Sequence, residues 1–365
     1  MATRPPRILL SGGGTGGHLF PALAIAEEIQ KLEPATEFLF VGTQGKIEAR
    51  VVPERGYPFR SIWISGFHRR LTIDNLLFPV KVIVSLVQSL LILRKFRPDV
   101  VVGTGGYVCG PVLFMATWLG IPTVVHESNS YPGITTRLLA SRVRKVFTAF
   151  ESTKNRLPSA ANVELVGTPT RNALGSVSQK EGRIFFGLDE QRHTLLIVGG
   201  SLGAASINSA VLSSLDLLTG SGIQLIWQTG QSDHERVQWE LGSRRVGWVG
   251  PFIDRMEFAF GAADAVACRA GATTLAELTR IGKPAILVPY PHAAADHQRH
   301  NARAMAAAGA GIMIEDHEVA QKFGRSVIDL LNDTPRLKAM SSASRALGRP
   351  DAGPVLAHKV LEFLR

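Results

Sequence analysis

Three observations predict an α/β chain of two doubly wound, Rossmann-like parallel-sheet domains. Short apolar runs alternate with helical patterns, a strand, glycine turn and helix open each half, and 365 residues allow roughly two domains of ~150 residues each. The runs are Ile8 to Leu10, Phe38 to Val41, Val100 to Val102, Thr123 to Val125, Leu195 to Val198, Gln224 to Trp227, Ala265 to Ala267 and Ala285 to Val288. Their β-branched and apolar character suits strands buried on both faces, and the helical patterns between them supply parallel crossovers. LLSGGGTGGH heads the first series and LLIVGGSLGAASIN the second, with a joint near VGTPTR, Val166 to Arg171. A ligand cleft at the carboxyl ends of the strands is expected from this arrangement.

Composition narrows the class. Hydrophobic residues make up 45% of the chain, enough for sizeable cores, and the net charge of +10 favours an anionic partner: nucleic acid, an acidic membrane face or a phosphorylated substrate. Cys109 and Cys268 are far apart and each sits in an apolar segment, so neither a disulfide framework nor a metal cluster is expected. With no secretory pattern at the start, a reducing cytoplasm is the expected compartment.

The first element, Leu9 to Pro21, runs from an apolar strand into glycines 12, 13, 14, 16 and 17, with a helix expected to open near Pro21. Glycines let a backbone approach an anion closely, and a helix N-terminus adds its positive dipole end. His18 stands at the loop exit, where an imidazole could meet a ligand. The loop matches neither the dinucleotide fingerprint nor the lysine-containing phosphate loop. A second turn, Gly103, Thr104, Gly105, Gly106 and Tyr107, follows another strand, so Gly13, Gly14, Gly105, Gly106 and Tyr107 could cradle a diphosphate between them. Tight βα turns without a ligand are the alternative.

The segment from Asn75 to Lys95 is almost continuously apolar and, as a helix, approaches the ~30 Å of a bilayer core. Lys81, Ser85, Gln88 and Ser89 form a polar stripe at helical spacing, and the segment lies between two strands of one sheet, which argues against a span. A buried crossover helix and a helix with an apolar edge exposed to membrane both remain open. From Arg60 to Arg97 seven Lys and Arg stand against Asp74 alone, which suits anionic phospholipid.

His126, Glu127 and Asn129 follow a strand end, where a carboxylate can act as a base or bind a sugar hydroxyl; capping the helix after Pro132 is the structural alternative. In the second half, Gly199, Gly200, Ser201 and Gly203 could hold a nucleotide diphosphate without a metal. Glu277 could accept both ribose hydroxyls, or complete a capping box with Thr274. Gln298 and Asn301 share a helical face and suit sugar hydroxyls or plain solvation. His292, His297, His300 and Asp296 match no familiar zinc spacing.

Taken in order, GGGTGGHLFPALAIA, GTGGYVCGP, HESN, VGTPTR, GGSLGA, PFID, CRAGATTLAE and HQRHNA resemble the MurG family over nearly the whole chain, from Leu9 to about Gly311. Ser128 and Thr168 depart from the family's usual HEQN and GNPVR. The resemblance implies a GT-B fold with a central cleft: an acceptor- and membrane-binding domain over 1–168, a UDP-GlcNAc-binding domain over 169–347, and a helix at 348–365 returning to the first domain. It implies inverting transfer of GlcNAc from UDP-GlcNAc to the MurNAc C4 hydroxyl of undecaprenyl-pyrophosphoryl-MurNAc-pentapeptide, lipid I, giving lipid II and UDP.

By the same resemblance the donor contacts Thr15, Gly16, Gly17, Asn129, Arg171 and Ser201, with Ile253 at the uracil. Ala272, Thr273, Thr274, Leu275, Ala276 and Glu277 meet the nucleotide, Glu277 at the ribose, and Gln298 meets the sugar. His18 is the expected base, with Glu127 second. No cofactor or metal is expected. Leu76, Leu77 and Phe78 are expected at anionic phospholipid on the cytoplasmic face of the bacterial plasma membrane, as a peripheral contact, and nucleic acid is not an expected partner. Another GT-B lipid glycosyltransferase, a UDP-GlcNAc 2-epimerase and a nonenzymatic adaptor are the alternatives.

Overall fold

A computed structural model describes residues 4–66, 77–171, 173–200, 203–293 and 296–364. Ser201 and Leu76, both named above, lie outside the described residues. The chain divides into two compact units, 1–170 with 350–365 and 171–349.

The first unit holds strands β1 (Arg7–Ser11), β2 (Glu37–Gly42), β3 (Phe59–Ser61), β4 (Val100–Gly103), β5 (Thr123–Glu127), β6 (Lys145–Thr148) and β7 (Val163–Leu165). All pair in parallel, in the order β3-β2-β1-β4-β5-β6-β7. Helices α1 (Gly16–Leu32), α2 (Ile47–Glu54), α3 (Phe78–Phe96), α4 (Cys109–Trp118) and α5 (Ile134–Leu139) make the connections. Strand alternation feeds two cores: Ile8 and Leu10 join Val100 and Val102 on one face, while Leu9 joins Val101 on the other. Full burial of each such side chain stabilises the fold by about 1.5–3 kcal/mol.

The second unit contains β8 (Thr194–Val198), β9 (Gln224–Gln228), β10 (Gly247–Gly250), β11 (Ala265–Cys268), β12 (Ala285–Leu287) and β13 (Gly311–Met313), parallel in the order β10-β9-β8-β11-β12-β13. Its helices are α6 (Gln179–Phe185), α7 (Ala205–Ser213), α8 (Leu215–Gly220), α9 (His234–Leu241), α10 (Met256–Ala262), α11 (Ala272–Ile281), α12 (His297–Ala307), α13 (Val319–Leu331) and α14 (Thr334–Leu347). The final helix, α15 (Ala352–Leu361), packs on α1 through buried Leu356, Ala357 and Val360, within the first unit's core.

One expectation changes and one open alternative is decided. Helix α1 opens at Gly16, five residues before Pro21, which lies inside it. Lacking an N–H, Pro21 leaves the Gly17 carbonyl without its intrahelical donor at the mouth of the turn, a position that tolerates the loss. Helix α3 exposes an apolar edge, one of the two open alternatives, and turns its polar stripe inward. Lys81, Ser85 and Ser89 are buried, whereas Val80, Ile83, Val87 and Leu91 face outward. Short hydroxyl side chains make this possible, because Ser85 bonds back to the Val82 carbonyl at 2.8 Å and Ser89 to that of Ser85 at 2.7 Å. Lys81 Nζ donates to Ser65 Oγ at 3.1 Å, and Gln88 Oε1 accepts the Trp63 N–H at 2.7 Å. No described helix is long and apolar enough to cross a membrane.

Candidate active site

In each sheet the strand order reverses direction once, between β1 and β4 and between β8 and β11. Open parallel sheets bind ligands at the carboxyl ends of strands flanking that point. Both glycine turns of the first unit, and both motif-bearing loops of the second, lie there.

In the first unit the two glycine turns touch. Gly105 and Gly106 take positive φ values of 105° and 85°, and a Cβ on Gly106 would fall 2.4 Å from the Gly13 carbonyl oxygen, so a side chain fits neither the conformation nor the space. His18, in the first turn of α1, lies against both residues. Its Nδ1 is 3.1 Å from the Thr104 carbonyl oxygen, and Thr104 Oγ1 donates back to the His18 carbonyl at 2.7 Å. A carbonyl only accepts, so Nδ1 carries the hydrogen and Nε2 is the basic nitrogen. Thr15 is the extended N-cap residue of α1, which places the N–H groups of Gly16 and Gly17 among the orphan donors of its first turn.

Gly14 has a prior commitment. Its N–H, expected at a diphosphate, points at both carboxylate oxygens of Glu48, each at 3.1 Å. Glu48 is buried and also accepts from the Thr43 N–H at 3.1 Å and its hydroxyl at 2.7 Å. The same carboxylate covers Gly13. A second anion there would meet like charge, so Gly13 and Gly14 are corrected to structural members of the turn. Tyr107 lies beside Gly14 and Gly66.

Glu127 is likewise occupied. Oε1 accepts from the Asn129 N–H at 3.0 Å and from its side-chain amide at 3.1 Å, and Oε2 accepts from the Gly133 N–H at 2.9 Å and the Thr136 hydroxyl at 2.7 Å. Four bonds tie it to the turn before α5, and the role of second base gives way to the structural alternative. Asn129 keeps Oδ1 as its remaining acceptor. His126 is buried, with Nε2 donating to the Gly167 carbonyl at 2.8 Å; burial lowers its basicity and keeps it neutral. Of the two departures from the family pattern, Ser128 meets His126 Nδ1 at 3.3 Å, and the buried Thr168 Oγ1 has no hydrogen-bond partner among the described residues.

In the second unit, Gly199, Gly200 and Gly203 make the turn between β8 and α7. Gly203 has φ +80°, and a Cβ there would fall 2.2 Å from the Thr229 carbonyl oxygen, so the loop after β9 approaches the turn more closely than any side chain allows. Glu277 lies in the second turn of α11, whose N-cap is Gly271, so no capping box with Thr274 forms. The carboxylate is buried, and its Oε1, ion-paired with Arg171 Nε at 3.2 Å, accepts no hydrogen bond among the described residues. Burial raises its pKa and the Arg171 guanidinium pulls the other way. Thr273 Oγ1, also buried, lacks a hydrogen-bond partner among the described residues. Ala272 and Leu275 are buried, while Thr274 and Ala276 are half-buried.

Ile253 is buried, and its N–H is held at 3.0 Å by Gln228 Oε1. Gln298 Oε1 accepts the Tyr290 N–H at 3.0 Å. Asn301 is fully buried and its amide donates to the Ala270 carbonyl at 3.2 Å, so its expected solvent or sugar role is corrected to a tie between α12 and the turn before α11. Asp296 pairs with Arg299 at 2.9 Å, and among the described residues no group of three His, Cys, Asp or Glu is placed to hold a metal ion.

Models of the glycosyltransferase family 28 N-terminal and C-terminal domains match residues 8–148 and 194–353. The UDP-N-acetylglucosamine–N-acetylmuramyl-(pentapeptide) pyrophosphoryl-undecaprenol N-acetylglucosamine transferase of Chlorobaculum parvum is 46% identical over 97% of this chain and 98% of its own length. The chain belongs to the MurG family. The transferase of the same name from Bacillus subtilis is 41% identical over 98% of this chain and 99% of its own. A crystal structure of Acinetobacter baumannii MurG matches with a TM-score of 0.76 and 26% identity, covering 98% of this chain and 100% of that one.

Sequence reasoning passed over three residues that shape the site of this MurG-family chain. Glu48 sits in an ordinary amphipathic pattern, and only the fold brings it under the first glycine turn. Gln228 closes the apolar strand QLIWQ at its carboxyl end and joins two loops, with Nε2 on the Gly200 carbonyl at 2.9 Å and Oε1 on Ile253. A polar residue ending such a strand is a readable signal. Arg269, just after β11, pairs with Asp316 at 2.5 Å and donates to Ser206 Oγ at 2.9 Å, which fixes the first turn of α7.

Neither thiol is part of the chemistry. Burial pushes Cys109 up to about 11 and Cys268 up to about 12. Cys109 Sγ instead lies 2.8 Å from the Ser11 carbonyl and 2.9 Å from that of Gly105, linking the two glycine turns. Iodoacetamide near neutral pH is expected to label neither cysteine in the folded protein and both after denaturation, read by mass spectrometry; rapid labelling of the native chain would contradict the burial.

Proposed function

We propose that this chain transfers N-acetylglucosamine from UDP-GlcNAc to the C4 hydroxyl of MurNAc in undecaprenyl-pyrophosphoryl-MurNAc-pentapeptide, giving lipid II and UDP in peptidoglycan synthesis. Relatives at 40% identity or more over nearly the whole chain carry the name of this transferase, which disfavours the epimerase and the other lipid glycosyltransferases. The observation that carries the nucleotide half of the reading is the buried Glu277 carboxylate. Its Oε1, ion-paired with Arg171 Nε at 3.2 Å and accepting no hydrogen bond among the described residues, lies on the helix that follows the switch-point strand β11, and a ribose diol would complete its hydrogen bonding.

The reaction is a single displacement. The C4 oxygen attacks the anomeric carbon, the bond from that carbon to the β-phosphate oxygen breaks, and UDP leaves with the electron pair. The hydroxyl proton passes to His18 Nε2, the nitrogen that the Thr104 hydrogen bond makes basic. The first turn of α7 faces the leaving diphosphate with its dipole and N–H groups, and Ser201, four residues before α7 in the sequence, adds a hydroxyl. Ile253 meets the uracil and Arg171 the donor. Gln298 and Asn129 read the sugar, Thr15 to Gly17 hold the donor with the orphan N–H groups of α1, and Gly105, Gly106 and Tyr107 meet the acceptor diphosphate. No metal takes part in this reading, since fixed dipoles supply the charge stabilisation.

The acceptor is lipid-bound, and the outward apolar stripe of α3, with Leu77 exposed and Phe78 half-buried at its start, is read as a peripheral contact with anionic phospholipid of the cytoplasmic membrane face. Purified protein given UDP-GlcNAc and a lipid I analogue in detergent is expected to release UDP only when the acceptor is present, and equally in EDTA. UDP-ManNAc formed without acceptor would replace the reading by the epimerase, and loss of turnover in EDTA would restore a metal.

A further inference from the structure

Strand β9 ends between the two loops on which the nucleotide reading depends. Its last residue, Gln228, pairs with Val198 of β8 on one side and with Gly250 of β10 on the other. The side chain reaches the loop that follows each neighbour. Nε2 donates to the Gly200 carbonyl at 2.9 Å, in the turn before α7, and Oε1 accepts the Ile253 N–H at 3.0 Å, between β10 and α10. These partners fix the orientation of the amide, because a carbonyl only accepts and a backbone N–H only donates.

Both bonds are made out of solvent, with Gln228 3% exposed and Ile253 2% exposed. Burying an amide costs desolvation that its hydrogen bonds must offset, and here both bonds go to loops of the candidate site. The Gly200 carbonyl also takes the Gly203 N–H at 3.0 Å, so Gln228 supplies the second donor to the peptide that closes the turn. On the other side, the backbone already joins the exit of β9 to the loop after β10. Thr229 N–H donates to the Gly250 carbonyl at 3.0 Å and Gly230 N–H to that of Pro251 at 3.1 Å. Gln228 extends this frame from Ile253 across the sheet to the turn before α7.

We propose that Gln228 is a positioning residue for the donor, fixing the separation of the diphosphate turn and the base loop so that both halves of a nucleoside diphosphate meet preformed subsites. This rests on the reading above, which sets the uracil at Ile253 and the diphosphate at the turn before α7. Joined fragments gain over separate ones only where their subsites are held at the matching distance. Loss of the amide therefore weakens the whole nucleotide more than the nucleoside alone.

The test compares the full chain with Gln228→Met and Gln228→Glu. UDP affinity is measured by calorimetry, uridine by competition against UDP, and KM and kcat with UDP-GlcNAc and a lipid I analogue. Methionine matches the length of glutamine without its amide. UDP is expected to bind Gln228→Met about 10-fold more weakly, the scale of two neutral hydrogen bonds, and the KM for UDP-GlcNAc rises in step while kcat holds. Uridine binds that variant as well as the parent or better, since the released Ile253 N–H becomes a donor for a base carbonyl. Gln228→Glu keeps the acceptor for Ile253 but sets a carboxylate toward the diphosphate turn, so UDP weakens further and uridine again holds. Equal losses for uridine and UDP in both variants would reduce Gln228 to a structural brace, and unchanged UDP affinity in Gln228→Met would overturn the role outright. Failure of the parent to bind UDP would instead remove the nucleotide reading, and the role of Gln228 with it.

Discussion

His18→Ala is expected to lower kcat by about 10²- to 10⁴-fold, the range of a lost general base, while the KM for UDP-GlcNAc changes little. The expectation rests on the tautomer. Thr104 contributes a carbonyl that can only accept, and its hydroxyl returns a bond to the His18 backbone, so the imidazole is both oriented and left with Nε2 as its basic atom. Near-normal turnover in His18→Ala would exclude this residue as the base. Glu127 is no ready substitute, because all four of its contacts hold the turn before α5.

Glu277→Gln is expected to raise the KM for UDP-GlcNAc by about 10- to 100-fold, the scale of hydrogen bonds to a charged group, with kcat far less affected because the ribose is remote from the reacting carbon. Stability separates this from a structural role. A carboxylate buried beside the Arg171 guanidinium, its ion-paired oxygen accepting no hydrogen bond among the described residues, costs more than the neutral amide, so the ligand-free melting temperature of Glu277→Gln holds or rises. The rise in melting temperature on adding UDP, present in the parent, largely disappears in the variant. A variant that melts lower yet binds UDP normally would return Glu277 to a purely structural part.

Both switch-point strands and their glycine turns were legible because glycine at φ near +80° to +105° and buried β-branched strands leave strong local signals. Five strands were not. β3, β7, β10 and β13 are sheet-edge or near-edge segments of three or four residues with polar or glycine members. β6, paired on both sides but next to the edge, is only KVFT, whose lysine ends the basic run RVRK. The start of α1 was misplaced because proline is favoured at a first helical position, and here the glycine turn itself supplies the first turn. Periodicity found the two faces of α3 correctly but not which one faces the core. That depends on serines that satisfy themselves against their own helix. At the site, His18 and Glu277 were readable from chemistry and position, whereas the Glu48 contact with Gly14 joins residues 34 apart and leaves no local trace.

The most direct test of the central claim is to make the disaccharide product from UDP-GlcNAc and a lipid I analogue, with EDTA present, and to determine its linkage by NMR. A single displacement on the α-linked donor, with the MurNAc C4 oxygen as nucleophile, predicts a β-1,4 bond. An α-linked product, a bond to another hydroxyl, or no product from folded, UDP-binding protein would contradict the account.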